Sequence, residues 1–257
     1  MSDEILLRTD QGRVTTLTLN APATLNALSA DMLARLDLEL INLAASAQRV
    51  VILRATGKAF SAGHDLKQLQ ALRQQPDQGR AAFTALFTLC AHVMQRITQL
   101  PQPVIAQVHA IAAAAGCQLV ASCDMVVAAD NARFGINGVN IGLYCHTPLV
   151  ALSQKIPRAR ALELASTGAF LTAAQAFDAG LVTRIAAPDQ LDAETQALAT
   201  TLALKLPSAL AAGKRAAAPD LVALYQTATQ AMVANLMHPD TAEGIAAFLE
   251  KRAPHWA

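Results

Sequence analysis

The strongest constraint on this chain is a pair of strand-to-helix junctions built from very small residues. The first reads Gly57-Lys58-Ala59-Phe60-Ser61-Ala62-Gly63-His64-Asp65-Leu66-Lys67. It is entered from the apolar run Val50-Val51-Ile52-Leu53 and leaves into a helical pattern over about residues 65–72. The second follows Pro103-Val104-Ile105-Ala106-Gln107-Val108, which reads as a buried strand. It continues as His109-Ala110-Ile111-Ala112-Ala113-Ala114-Ala115-Gly116-Cys117-Gln118-Leu119-Val120-Ala121. Small side chains between strand and helix leave backbone N–H groups uncovered, and the positive end of a helix favours negative charge. One such junction is an ordinary turn. Two together can clasp one carbonyl oxygen, as acyl transfer or enolate formation requires.

The flanking pattern predicts an α/β chain. Residues 5–9 and 14–19 alternate as a hairpin around Asp10-Gln11-Gly12. A helix opens at Ser29 or Asp31 and runs to about residue 47, with Met32, Leu33, Leu36, Leu40 and Leu43 on one face. Pro76-Asp77-Gln78-Gly79 interrupts the next helical region, which resumes near Arg80 and reaches about Leu100. Residues 124–129 are strand-like, and Phe134-Gly135 opens another small-residue loop. From Thr147 onward helices dominate, one of them capped by Thr172, and a soft boundary falls near residues 195–206. Recurring strand–helix units favour α/β organisation.

Composition narrows the function. With 257 residues, 53% hydrophobic and 15% charged, the chain suits one large domain or a domain with an appendage. A net charge of +1 argues against a nucleic-acid footprint or a polybasic membrane surface. Met1-Ser2-Asp3-Glu4 lacks the basic-then-apolar pattern of a signal segment, and no apolar run reaches membrane-spanning length. Cys90, Cys117, Cys123 and Cys145 read as reduced, intracellular thiols; a cytoplasmic location is expected, with a mature organellar protein as the alternative. The histidines show no metal-ligand spacing, and neither a Walker loop nor a dinucleotide glycine fingerprint is present; no metal is expected.

Taken in order, several segments carry a family likeness. They are Leu25-Asn26-Ala27-Leu28, residues 59–67, residues 103–124, Phe134-Gly135, Gly168 with Ala176 and Ala179-Gly180-Leu181-Val182, and Phe248-Leu249-Glu250-Lys251-Arg252. In their order and spacing the chain resembles the crotonase superfamily, the enoyl-CoA hydratase/isomerase relatives, from about residue 5 to the C-terminus. The resemblance implies a crotonase-type spiral of β-β-α units over residues 1–195. A helical trimerisation region, 196–257, would follow, in a homotrimer or dimer of trimers. It implies an acyl-CoA thioester as substrate, with coenzyme A entering as part of it and no prosthetic group. The N–H groups of His64 and Ala115 would then form the oxyanion hole. Ala62, His64, Asp65 and Leu66 would lie on one side of coenzyme A, and Leu25, Asn26 and Ala27 on the other. Phe248 and Lys251 match a C-terminal region that contacts coenzyme A in relatives, often from a neighbouring subunit. Asp65 can equally cap its own loop, and Lys251 can equally sit on a solvated helix face.

One departure from the family pattern matters most. Hydratases place two glutamates in the site, and the matching positions here are Gln118 and Gly138. Glutamine orients water but cannot take its proton, and glycine has no side chain. The usual two-glutamate hydration is therefore not expected. His146 matches a position where some relatives carry a functional aspartate, so Gln118 and His146 are the candidate polar tools; capping or packing is the competing role for the histidine. Tyr144 and Cys145 read as packing residues, Asn137 and Asn140 as loop hydrogen-bonders, His109 as a turn residue and Asp124 as a structural acceptor. The expected function is an acyl-CoA enzyme stabilising a thioester enolate. A malonyl-type acyl-CoA decarboxylase and a non-catalytic acyl-CoA binder are the alternatives.

Overall fold

The computed structural model describes residues 4–256. A hairpin, β1 (Leu6–Gln11) and β2 (Val14–Leu19), turns at Gly12, whose φ of 60° suits glycine. α1 (Ala30–Ala44) follows, its first turn held by the Ser29 hydroxyl, which accepts from Met32 N–H. Its inner face is Met32, Leu33, Leu36, Leu40 and Leu43, the apolar stripe that the spacing predicts. The helix ends at Ala44 rather than near 47, because the Ser46 hydroxyl and N–H both turn back onto Leu43 O.

Three strand pairs then step through two sheets. β3 (Val50–Ala55) and β4 (Ala59–Ser61) precede α2 (Leu66–Leu72) and α3 (Arg80–Gln99). β5 (Val104–Val108) and β6 (Ile111–Ala113) precede α4 (Ala115–Ser122). β7 (Met125–Ala129) and β8 (Arg133–Gly135) precede α5 (His146–Leu152) and α6 (Arg158–Thr167). The fourth turn reverses the order, with β9 (Phe170–Thr172) and α7 (Ala173–Asp178) before β10 (Arg184–Ala186). Each turn gives one strand to a six-stranded sheet, ordered β1-β2-β3-β5-β7-β10, and one to a four-stranded sheet, ordered β4-β6-β8-β9. Pairing between turns is parallel, as crossover connections require; β8 with β9 is antiparallel. Phe134-Gly135, expected as a loop, belongs to β8 and is paired on both sides.

Four helices complete the chain: α8 (Leu191–Ala203), α9 (Pro207–Ala217), α10 (Val222–Leu236) and α11 (Pro239–Glu250). Residue 195 falls inside α8, and Leu191, Leu198 and Ala199 of that helix pack with Val14, Val50, Ile52 and Ile105 of the large sheet. α10 lies against α3 and α5, with Tyr225, Met232 and Leu236 buried. Among the described residues, no helix is long and apolar enough to cross a membrane. The architecture is an α/β spiral of β-β-α units in which β4 and β6, side by side, deliver their following turns to the same place.

Candidate active site

The first turn is stitched to the loop before α1. Leu28 N–H donates to Gly63 O at 2.7 Å, and Ala62 N–H to Leu25 O at 3.0 Å. Asn26, fully buried with φ of 52°, donates to Thr56 O (2.7 Å) and Ala59 O (2.9 Å) and accepts from Ala21 N–H (2.8 Å). The Ser61 hydroxyl donates to Asn26 O at 2.8 Å and accepts from Gly63 N–H at 3.3 Å. Asp65 caps α2, accepting from Lys67 N–H and Gln68 N–H. Leu25, Asn26 and Ala27 are thus adjacent to Ala62, His64, Asp65 and Leu66, with the Asn26 and Asp65 side chains engaged by the fold.

The second turn is tighter. Ala114 adopts φ 48°, ψ −120° and is held by its N–H donating to Gly135 O at 2.8 Å. Gly116 lets α4 approach β4 so closely that a methyl group there would run into the Ser61 backbone. At Gly63 a methyl would come within 2.9 Å of Ala114 Cβ and 3.1 Å of Ala115 N, so the two turns touch. His64 N–H and Ala115 N–H donate to no acceptor among the described residues. Both residues line a cavity of about 110 Å³.

The His64 ring has one possible tautomer. Nδ1 lies 3.1 Å from Leu28 O, an acceptor only, so Nδ1 carries the proton and donates it. Burial pushes the ring's pKa down to about 4, leaving it neutral near pH 7. The ring packs edge-on to Phe87 at 4.8 Å, and Nε2 keeps a buried lone pair without a donor.

Two expected residues are not brought into the cavity wall. Gln118 is fully buried behind it, with Nε2 donating to Tyr225 Oη and Oε1 accepting from Thr147 Oγ1, both at 3.5 Å. All eight residues of α4 are buried, so the glutamine is taken by the α5 and α10 side of its helix. His146 starts α5 and turns back on its own approach, Nδ1 2.9 Å from Tyr144 O and ring against the Tyr144 ring. Gly138 does line the cavity, and a Cβ there would overlap Leu143 O. Cys145 accepts from Gly138 N–H at 3.3 Å, and burial pushes its thiol up to about 11, so it is inert. Phe248 lines the cavity from this same chain, and Lys251 is the exposed left-handed cap of α11 three residues on. Asn137 lines the wall too, whereas the Asn140 side chain packs against Gly168. His109 faces the Gly57 carbonyl at 3.0 Å, across the first junction.

Leu69 on α2 and Ile141, Leu143 and Pro148 close the pocket, within the stretches 68–90 and 137–149 that the sequence reading expects to line it; Met232 on α10, which that reading does not single out, joins them. Helical spacing from Leu66 marks Leu69; nothing local marks Met232, which arrives from far along the chain. A larger cavity, about 550 Å³, lies beyond α4 under α9. Its buried ammonium, Lys214 Nζ, is saturated by Ile97 O, Gln102 O and Asp124 Oδ2, so it offers no free donor. Among the described residues, no group of three or more His, Cys, Asp or Glu side chains could hold a metal ion.

The spiral and this cavity define a class, and the chain belongs to it: the enoyl-CoA hydratase/isomerase family matches residues 9–257. Within it, the chain is similar to enoyl-CoA hydratase domain-containing protein 3, mitochondrial, of Rattus norvegicus. The identity is 41% over 252 residues, covering 96% of this chain and 82% of the relative. The Homo sapiens protein of that name is 42% identical over 246 residues, covering 94% and 80%. Among solved structures, an enoyl-CoA hydratase of Mycobacterium smegmatis is 46% identical with a TM-score of 0.80, covering 99% of both chains. Human enoyl-CoA hydratase domain-containing protein 3 is 39% identical with a TM-score of 0.78, covering 98% of this chain and 100% of that one.

Proposed function

We propose that the chain is an acyl-CoA enzyme that stabilises a thioester enolate. The observation that carries this reading is the pair of unpaired N–H groups, His64 and Ala115, on two touching turns around one cavity. Set on a thioester oxygen they form an oxyanion hole, and each donor gains strength as charge develops there. Coenzyme A runs between Leu25, Asn26 and Ala27 on one side and Ala62, His64, Asp65 and Leu66 on the other, with Phe248 and Lys251 closing over it. Backbone does most of this binding, since Asn26 and Asp65 use their side chains to hold the loops. Gln118 and His146 act indirectly, positioning α4 and the approach to α5. A homotrimer or dimer of trimers and a cytoplasmic setting belong to the same proposal. Exposed Leu204 and Leu206 support the first, and four free, buried cysteines fit a reducing compartment, of which the second is one.

A second reading, decarboxylation of a malonyl-type thioester, is favoured by one observation: among the described residues, no carboxylate lines the cavity. Breaking the C2–carboxyl bond releases carbon dioxide and leaves its electron pair as the enolate, which water then protonates at C2. No base is needed. Incubating the protein with enoyl-, dienoyl- and malonyl-type CoA esters in deuterium oxide separates the readings by product mass. Deuterium gain without water supports enolate chemistry, and loss of carbon dioxide supports the second reading. Gain of water means hydration without the two glutamates. Binding without any change overturns both readings in favour of a non-catalytic binder.

A further inference from the structure

The stretch that leads from the cavity along α2 is rich in buried polar atoms without a partner. Six buried side-chain atoms lack a partner among the described residues, and four of them sit on the short stretch 64–73: His64 Nε2, Gln70 Oε1, Arg73 Nε and Arg73 Nη2. Native proteins leave few such groups, and each calls for a reason. These lie along one line. Leu66, Leu69, Gln70 and Arg73 share a face of α2 at helical spacing, and Leu66 and Leu69 line the cavity. Arg73 is four residues past Leu69, about 6 Å further along the axis. The opposite side is α3, where Phe87 backs the His64 ring and Phe83, one turn earlier, carries the Arg73 guanidinium 5.8 Å from its centroid.

Arg73 is the most demanding member. Arg73 is half-buried, but its Nε and Nη2 are shielded from solvent and unpaired, and a guanidinium keeps its charge, so shielding these donors without a counter-charge is unfavourable. The acids nearest in sequence are occupied: Asp65 caps α2, and Asp77 accepts from Gly79 N–H and Ala81 N–H. No ion pair to Arg73 occurs among the described residues. Burial also lowers its pKa with no opposing partner.

We infer that the acyl group this cavity takes ends in a carboxylate, and that Arg73 receives it. The inference rests on the acyl-thioester reading above and names its substrate class: a short dicarboxylic acyl thioester, its thioester oxygen at His64 and Ala115 and its far end at the α2–α3 seam. Phe83 lies beside the guanidinium, and the unpaired Nε and Nη2 can meet two carboxylate oxygens.

The test is calorimetric binding of matched pairs: succinyl- with butyryl-CoA, glutaryl- with pentanoyl-CoA, adipyl- with hexanoyl-CoA. At least one dicarboxylic ester should bind about 10-fold or more tightly than its match, and that ratio should shrink with added salt. Arg73→Met should bring the ratio to about one, and Arg73→Lys should keep part of it. Ratios near one for all three pairs with the wild type overturn the inference while leaving the acyl-CoA reading intact, as does a ratio that survives Arg73→Met. Should Arg73→Met fail to fold, a wild-type ratio that ignores salt is the overturning result. Absence of binding by all six esters overturns the acyl-CoA reading and this inference together.

Discussion

The two walls of the cavity obey different constraints. One is backbone: the turns at Gly63-His64 and Ala114-Ala115, where a methyl on Gly63 or Gly116 would strike the facing turn. The other is made of side chains such as Leu69, Leu143 and Met232; Gly138 presents nothing to it, while Gln118 stays behind it on Tyr225 and Thr147 and His146 turns away to Tyr144. Chemistry carried by N–H groups is welded to the packing, since moving it means rebuilding two strands and a helix. Chemistry carried by side chains can change one residue at a time. On the proposed reading, the fold keeps a place for a carbonyl oxygen while leaving open what is done next to it.

The largest effect is expected at Ala115. It is the first residue of α4, where the helix itself needs no N–H, so Ala115→Pro removes a donor at small cost to the helix. Deuterium exchange at the thioester α-carbon should fall about 10²–10³-fold. On the side-chain wall, Gly138→Glu should not restore hydration. Its Cβ collides with Leu143 O, and overpacking of this kind costs about 1–3 kcal/mol, read as a lower melting temperature.

His64 links the walls and gives a pH signature. Its folded pKa of about 4 lies below the model-peptide value of 6.5, so the unfolded chain binds the proton more readily. Stability from this ring is complete above pH 6.5 and is lost as pH falls toward 4, by up to about 3 kcal/mol. Urea unfolding at pH 7.5 and 4.5 should show that loss, and His64→Leu should lessen it. A finer probe is Asn26→Ala, which leaves two carbonyls and one N–H unpaired beneath the first turn and should cost about 2 kcal/mol in the same assay. The smallest effect belongs to Gln118→Leu: its two hydrogen bonds are long, so about 1 kcal/mol of stability and under about threefold in exchange rate are expected.

Much of the framework is legible in the chain because local signals agree with it. The hairpin turn at Gly12, the Ser29 and Thr172 caps and the break at Gly79 all stand where turn chemistry puts them. β8 escapes because three residues are too few to show a period of two, and its order comes from β6 and β9. The face of Gln118 is not readable for a different reason. A helix buried all round has no apolar stripe, so its sequence cannot say which side meets a cavity. The split near 195 falls inside α8 because that helix's partners, Val14 and Val50, lie far upstream. Arg73, too, carries no local mark; only the meeting of α2 and α3 shows that its nitrogens have no partner.

On the proposed reading, two backbone N–H groups hold a thioester oxygen. Isotope-edited infrared spectra of carbonyl-labelled butyryl-CoA, free and bound, test it most directly. A carbonyl stretch that moves to lower frequency on binding, and moves back in Ala115→Pro, is the predicted result. A bound ligand whose carbonyl stretch stays at its value in water would mean that these two N–H groups do not hold the oxygen.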